Sequence, residues 1–149
     1  MKKILIILFL LNLSNVNAQE LRIIDGDTIY LNGKKIRFSG IDTPELKQKC
    51  IKNGVKNSCG ITAKKLLTKI IGNNNVDCVS EGQDQYNRIL AECFVNNKSL
   101  SSYLVKSGYA FAYRKYSKKF IDDEDYARIN KLGMWSMQFE YPWDFRKNN

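Results

Sequence analysis

Leu21-Arg-Ile-Ile-Asp25-Gly-Asp27-Thr-Ile-Tyr-Leu31-Asn-Gly33-Lys-Lys-Ile-Arg37-Phe-Ser-Gly-Ile41-Asp-Thr-Pro-Glu45 carries the reading that decides the fold. Three β-prone runs, Leu21 to Ile24, Thr28 to Leu31 and Lys35 to Phe38, are separated by Asp25-Gly26 and Asn32-Gly33. Asn-Gly between such runs is a strong hairpin signal. The pattern predicts a meander of three strands ending near Ile41.

Beyond it, residues 42 to 60 are polar. Ala63, Leu66, Leu67, Ile70 and Ile71 then recur at helical spacing, and Gly72 ends the helix. Val76 to Val79 and Ile89 to Val95 alternate like paired strands. Ser99 to Lys106 reads as a short helix with Leu100, Tyr103 and Leu104 facing inward, stopped at Gly108. Tyr109 to Tyr113 is expected to be a fifth strand. A last helix opens on Asp122, Asp123, Glu124 and Asp125 and closes on Lys131 and Gly133, charges that match the helix dipole. This acidic run is read as surface rather than as a metal site. The aromatic tail from Phe139 to Phe145 should pack back on the body. Strands in 3+2 order with helices between and after them suit an α+β fold, a five-stranded OB-type barrel with about three helices.

Domain organisation follows from the ends. Met-Lys-Lys, the apolar run from Ile4 to Leu13 and a small-residue stretch ending at Ala18 have the order of a secretory signal peptide, with cleavage expected after Ala18. The run is about half of the roughly 20 apolar residues a spanning helix needs. Residues 19 to 149 are then one domain, secreted or periplasmic, without stable membrane association. Losing Lys2 and Lys3 leaves 22 basic against 15 acidic residues, a net charge of +7. Such an excess steers polyanions in, more strongly at low salt. Four cysteines behind a secretion signal favour disulfides. Of the connectivities that four cysteines allow, Cys50 with Cys59 and Cys78 with Cys93 is preferred, because each pair is close in sequence and falls in one local element.

Histidine is absent, which excludes a histidine relay and makes a zinc site improbable chemistry. The remaining route is carboxylates and guanidinium groups. Asp27 stands at the head of a rigid hairpin. In Arg37-Phe-Ser-Gly-Ile-Asp42-Thr43-Pro44-Glu45 a strand carrying an arginine delivers two carboxylates around a proline that holds Thr43 extended. If the strand of Asp27 pairs with that one, Asp27 and Asp42 can reach one hard cation, which prefers oxygen ligands. Asp84-Gln-Tyr86-Asn87-Arg88 is a turn that brings a second arginine into a strand. Two arginines about a phosphate suit phosphoryl chemistry, since guanidinium binds the extra transition-state charge bidentately. Asp25 is read as a structural turn residue.

Asp-Gly-Asp-Thr, then Arg-x4-Asp-Thr-Pro-Glu, then Asp-x-Tyr-x-Arg, in this order, resemble the staphylococcal nuclease (thermonuclease) family. The resemblance continues through Leu104 to Ala110 and Gly133-Met-Trp135. The tail Phe139 to Arg146 is similar to the cysteine-containing secreted bacterial branch. It implies the OB barrel and a Ca²⁺ site formed by Asp27, Asp42 and the carbonyl of Thr43. Glu45 would stand near the metal through water, and Arg37 and Arg88 would be phosphate clamps. It implies hydrolysis of DNA and RNA with little base preference and 3′-phosphate products. Single strands and a monomeric enzyme are expected. Tyr86 is a candidate for stacking on a base, whereas Tyr109, Tyr113 and Tyr116 do not match the family's spacing. Asn87 stands where the family commonly has glycine, a position Asn tolerates through positive φ. A non-catalytic OB module binding single-stranded nucleic acid would share barrel, charge and aromatics, but would not need the carboxylates.

Overall fold

The computed structural model describes residues 18–149, so the leader reading falls almost wholly outside the described residues. The expected meander is present. β1 (Leu21–Ile23), β2 (Thr28–Leu31) and β3 (Lys34–Phe38) pair antiparallel in sequence. Asn32 and Gly33 take φ of 49° and 76°, the doubly positive pair that a two-residue hairpin turn of the right twist requires. Ile29, Leu31, Ile36 and Phe38 alternate onto the buried face.

β3 does not run on to Asp42. The chain turns at Ser39 and Gly40, where φ is +71°, and β4 (Ile41–Asp42) leaves the main sheet to pair with β10 (Phe111–Ala112). The predicted fifth strand is therefore only these two residues. β7 (Asp77–Gln83) and β8 (Ile89–Val95) pair antiparallel with Cys78 opposite Cys93, and β8 lies parallel to β3. The hydrogen-bonded path runs β1-β2-β3-β8-β7, with β9 (Lys98–Ser99) on β8. This is the five-stranded OB-type arrangement. Among the described residues the ladder is open between β1 and β7.

The polar stretch after Asp42 holds a hairpin that the sequence reading left unassigned, β5 (Cys50–Lys52) and β6 (Val55–Asn57). The Cys50–Cys59 disulfide ties it to the first residue of α1 (Cys59–Ile71), and Cys78–Cys93 ties β7 to β8. Both pairings are as expected. Leu67 and Ile71 of α1 are fully buried in the core with the sheet residues, and Ala63 is buried beside Gly26.

There are four α-helices among the described residues rather than about three. α2 (Leu100–Lys106) is capped by the Ser99 hydroxyl, which accepts from the Ser102 amide. Its inward residues are Leu100, Ser101, Leu104 and Val105, and Tyr103 is turned outward at 48% exposure. α3 (Ile121–Ile129) has the acidic first turn, but Glu124 is not a surface residue. Its buried carboxylate accepts from the Ala112 amide and from Arg114, bracing β10. The aromatic tail does pack back, as the helix α4 (Pro142–Asn148), with Pro142 in its first turn. Phe111, Met134, Trp135, Phe139, Tyr141 and Trp143 form a second core between α4 and the barrel. No described helix is long and apolar enough to cross a membrane.

Candidate active site

The two hairpin ends and the β4 loop converge on one guanidinium. Arg37, opposite Thr28 across the β2–β3 ladder, donates from Nη1 to Asp27 Oδ1 at 2.6 Å and from Nη2 to Asp42 Oδ1 at 2.7 Å. Asp27 and Asp42 are 2% and 0% exposed, so their charges depend on such partners. Burial opposes charge on Arg37, but Asp27 and Asp42 outweigh it and raise the guanidinium pKa further. The second oxygen of Asp27 accepts from the Thr43 amide at 2.9 Å, which locks the β4 loop to the hairpin head.

Two glycines allow this closeness. A Cβ on Gly26 would meet the Thr43 side chain within 3 Å, and one on Gly60 would run into the backbone carbonyl of Glu45. Glu45 is held at its backbone by Gln48, whose amide donates to the Glu45 carbonyl while its side-chain oxygen accepts from the Glu45 amide. The Glu45 carboxylate reaches toward the same cluster and accepts from Arg146 Nη1 at 2.8 Å.

Arg146, on α4, has no counterpart in the sequence reading beyond its place in the family-like tail. It donates Nη2 to Asp42 Oδ2 at 2.7 Å and Nη1 to Asp42 Oδ1 at 3.1 Å. The signal available in sequence was a basic residue in the last turn of a short helix, which the dipole alone explains.

Asp25 sits beside this cluster as a turn residue, accepting from the Asp27 amide at 3.0 Å. Burial, and then the charge of Asp27, push its pKa up to about 6. Asp42 is pushed upward by burial as well, against the opposing pull of Arg146 and Arg37.

Arg88 and Tyr86 stand apart from the carboxylate cluster, on the β7–β8 hairpin. Asp84 organises this turn, accepting from the amides of Tyr86 and Arg88 and, at 2.7 Å, from Arg88 Nε. Despite a little desolvation, these donors hold the Asp84 carboxyl below its ordinary range. Asn87 has φ +60°, the left-handed conformation anticipated for it. Nε is occupied by Asp84, neither Nη has a hydrogen-bond partner among the described residues, and Arg88 lines the cleft. Tyr86 is 70% exposed, and its ring lies 5.5 Å from the Arg88 guanidinium carbon.

A cleft of about 1030 Å³ is lined by Arg37, Glu45, Tyr86, Arg88 and Arg146 together. Tyr113 and Tyr116 line it too and meet edge to face at 4.9 Å, whereas Tyr109 packs into the second core. A second hollow of about 760 Å³ lies against α3 and α4 and holds none of the predicted site residues.

The donors the sequence assigns to an ion are oxygens: the buried carboxylates of Asp27 and Asp42, whose four oxygens accept from Arg37, Arg146 and the Thr43 amide, and the carbonyl of that same Thr43. Among the described residues no three or more His, Cys, Asp or Glu side chains stand together as a metal cluster. Two carboxylates and a carbonyl suit a hard cation that keeps several of its waters, and do not suit zinc.

A family model described as staphylococcal nuclease homologue matches residues 35–137. The chain belongs to the staphylococcal nuclease family. The matched span holds Arg37, Asp42, Glu45 and Arg88, with Asp27 before it and Arg146 after it. Endonuclease YncB of Bacillus subtilis is 35% identical over 138 residues, covering 81% of this chain and 62% of that protein. An uncharacterized endonuclease of Haemophilus influenzae is 30% identical over 122 residues, with 77% and 64% covered. The probable staphylococcal-like nuclease CAN2 of Oryza sativa subsp. japonica is 30% identical over 125 residues, with 82% and 32% covered. This nuclease-family chain thus spans from 32% to 64% of the length of these relatives.

Proposed function

We propose that this chain is a secreted or periplasmic, Ca²⁺-dependent nuclease that hydrolyses phosphodiester bonds of DNA and RNA with little base preference and leaves 3′-phosphate ends. It acts as a monomer and takes single strands more readily than duplexes. The observation that carries this reading is the fork of Arg37 between two buried aspartates, in the same cleft as Glu45 and Arg88. A purely binding module has no use for two buried carboxylates at that spot, since they repel phosphate.

Asp27, Asp42 and the Thr43 carbonyl would hold the ion, which when bound supplies Lewis-acid polarisation of a phosphoryl oxygen. The chain's own groups do the rest. Arg37 spends two of its N–H donors on the aspartates and keeps others for a phosphoryl oxygen. Arg88 offers both Nη groups from the opposite hairpin. Together they stabilise the charge that grows on phosphorus-bound oxygens. Glu45 accepts a hydrogen bond from a water molecule and directs its oxygen at phosphorus. That O–P bond forms as the P–O5′ bond breaks; the water proton passes to Glu45 or solvent, and the 5′ oxygen takes a proton from solvent to leave as the hydroxyl.

Two disulfides support an oxidising destination, and exposed Tyr86 supports base stacking at the cleft mouth. The test is Asp42→Asn on a labelled single strand in Ca²⁺. Cleavage should fall by about 100-fold or more, as for loss of a principal electrostatic group, while fluorescence polarisation still detects binding. Unchanged cleavage by this variant would refute the assignment, and binding without cleavage by the parent chain would favour the binding module.

A further inference from the structure

We infer that Arg146 is a positioning residue of the active site, which fixes the Glu45 carboxylate against Asp42 so that the water-directing oxygen points into the cleft. The inference rests on the hydrolytic role proposed for Glu45.

The backbone of Glu45 is immobilised by Gln48 and by the close approach of Gly60, but three side-chain torsions separate that backbone from the carboxylate. Among the described residues, Arg146 is the one hydrogen-bonding partner of this carboxylate, at 2.8 Å. The same guanidinium clasps both oxygens of Asp42, at 3.1 and 2.7 Å. Asp42 is immobile, being fully buried and held by Arg37. A planar guanidinium fixed to Asp42 through both Nη groups therefore offers Glu45 a fixed partner through the shared Nη1, and its charge offsets the repulsion between the two carboxylates.

Arg146 is not what keeps α4 in place. Pro142 is buried, and Trp143 stacks between Tyr141 at 4.6 Å and Tyr113 at 5.5 Å. The buried Gln48 side chain donates to the Glu140 carbonyl at 2.6 Å just before the helix. These contacts aim Arg146 from 101 residues beyond Glu45, and they remain when its side chain is changed.

The experiment compares kcat, KM and melting temperature for the parent chain, Arg146→Gln, Arg146→Lys, Glu45→Gln and the double variant Glu45→Gln/Arg146→Gln, on single-stranded DNA in saturating Ca²⁺. Arg146→Gln should lower kcat by about 10- to 100-fold, the scale of a reacting group out of place, with KM little changed. Arg146→Lys should recover part of the loss, because an ammonium can reach Glu45 but cannot grip both oxygens of Asp42 with two fixed nitrogens. The double variant should be no slower than Glu45→Gln alone. A slow Glu45→Gln beside a normal Arg146→Gln overturns the inference and leaves the role of Glu45 standing. So does a double variant that shows the product of the two single losses. Parent-like kcat in Glu45→Gln overturns the role of Glu45 and the inference with it. Should Arg146→Gln melt early, Arg146→Lys decides: a parent-like fold with reduced kcat supports positioning, and a parent-like kcat contradicts it.

Discussion

Arg37 and Arg88 line one cleft, yet they are held in opposite ways. Arg37 is locked by tertiary structure: its partners Asp27 and Asp42 lie on different elements and are almost wholly removed from water. Arg88 is held within its own turn by Asp84, four residues away, and both side chains keep contact with solvent. One arginine is a part of the core and the other is a feature of a hairpin. A guanidinium on the same cleft can thus be bound tightly to stability or be nearly free of it.

The largest effect is expected at Arg37. Arg37→Gln should slow cleavage by about 100- to 1,000-fold. It should also cost about 3 kcal/mol of stability, the lower end for breaking a buried pair because Arg146 still holds Asp42. Urea denaturation alongside the nuclease assay measures both. Arg88→Gln should match it in cleavage, at about 100-fold or more, but change stability by no more than about 0.5 kcal/mol. Equal destabilisation by the two variants would break the comparison.

Asp25 sharpens it from the buried side, as a carboxylate without an arginine of its own. Its pKa in the folded chain, about 6, lies above the ordinary 3.8, so the folded state binds the proton more tightly than the unfolded chain does. Stability from this group is full below about pH 4 and is lost as pH rises through 6. Asp25→Asn keeps the turn acceptor and should stabilise the chelated protein by about 1 to 3 kcal/mol at pH 7, with no gain at pH 4. A gain that persisted at pH 4 would contradict the charge-burial explanation. The smallest effect belongs to the hairpin: Asn87→Ala, which removes the short polar side chain that makes φ +60° tolerable, should cost about 1 kcal/mol. Thermal melts would detect it, and a larger loss would mean that the Arg88 turn is more than local.

Sequence revealed the half of this site that is local. The spacing from Arg37 to Glu45 and the Asp84 to Arg88 turn are short-range, and each dictates its own geometry through a proline, an Asx acceptor or a left-handed Asn. Asn32-Gly33 fixed the first hairpin for the same reason. Asn53-Gly54 marks a second hairpin, but its flanks are too polar to read as strands. Spacing places Tyr103 near Leu100, but the buried arc of α2 is centred between the pairs 100/104 and 101/105, and Tyr103 falls outside it on the Leu100 side. Arg146 was illegible, since nothing near it names a partner 104 residues away. Glu124 was hidden for a similar reason: a carboxylate that suits the helix dipole also suits a buried amide, and only packing decides.

The most direct test is a time course on an end-labelled single strand with the purified chain, first in Ca²⁺, then in excess chelator, then with Ca²⁺ restored. A Ca²⁺-dependent nuclease should give cleavage, arrest and resumed cleavage, with products ending in 3′-phosphate. Intact substrate in Ca²⁺, or cleavage at the same rate in chelator, would contradict that reading.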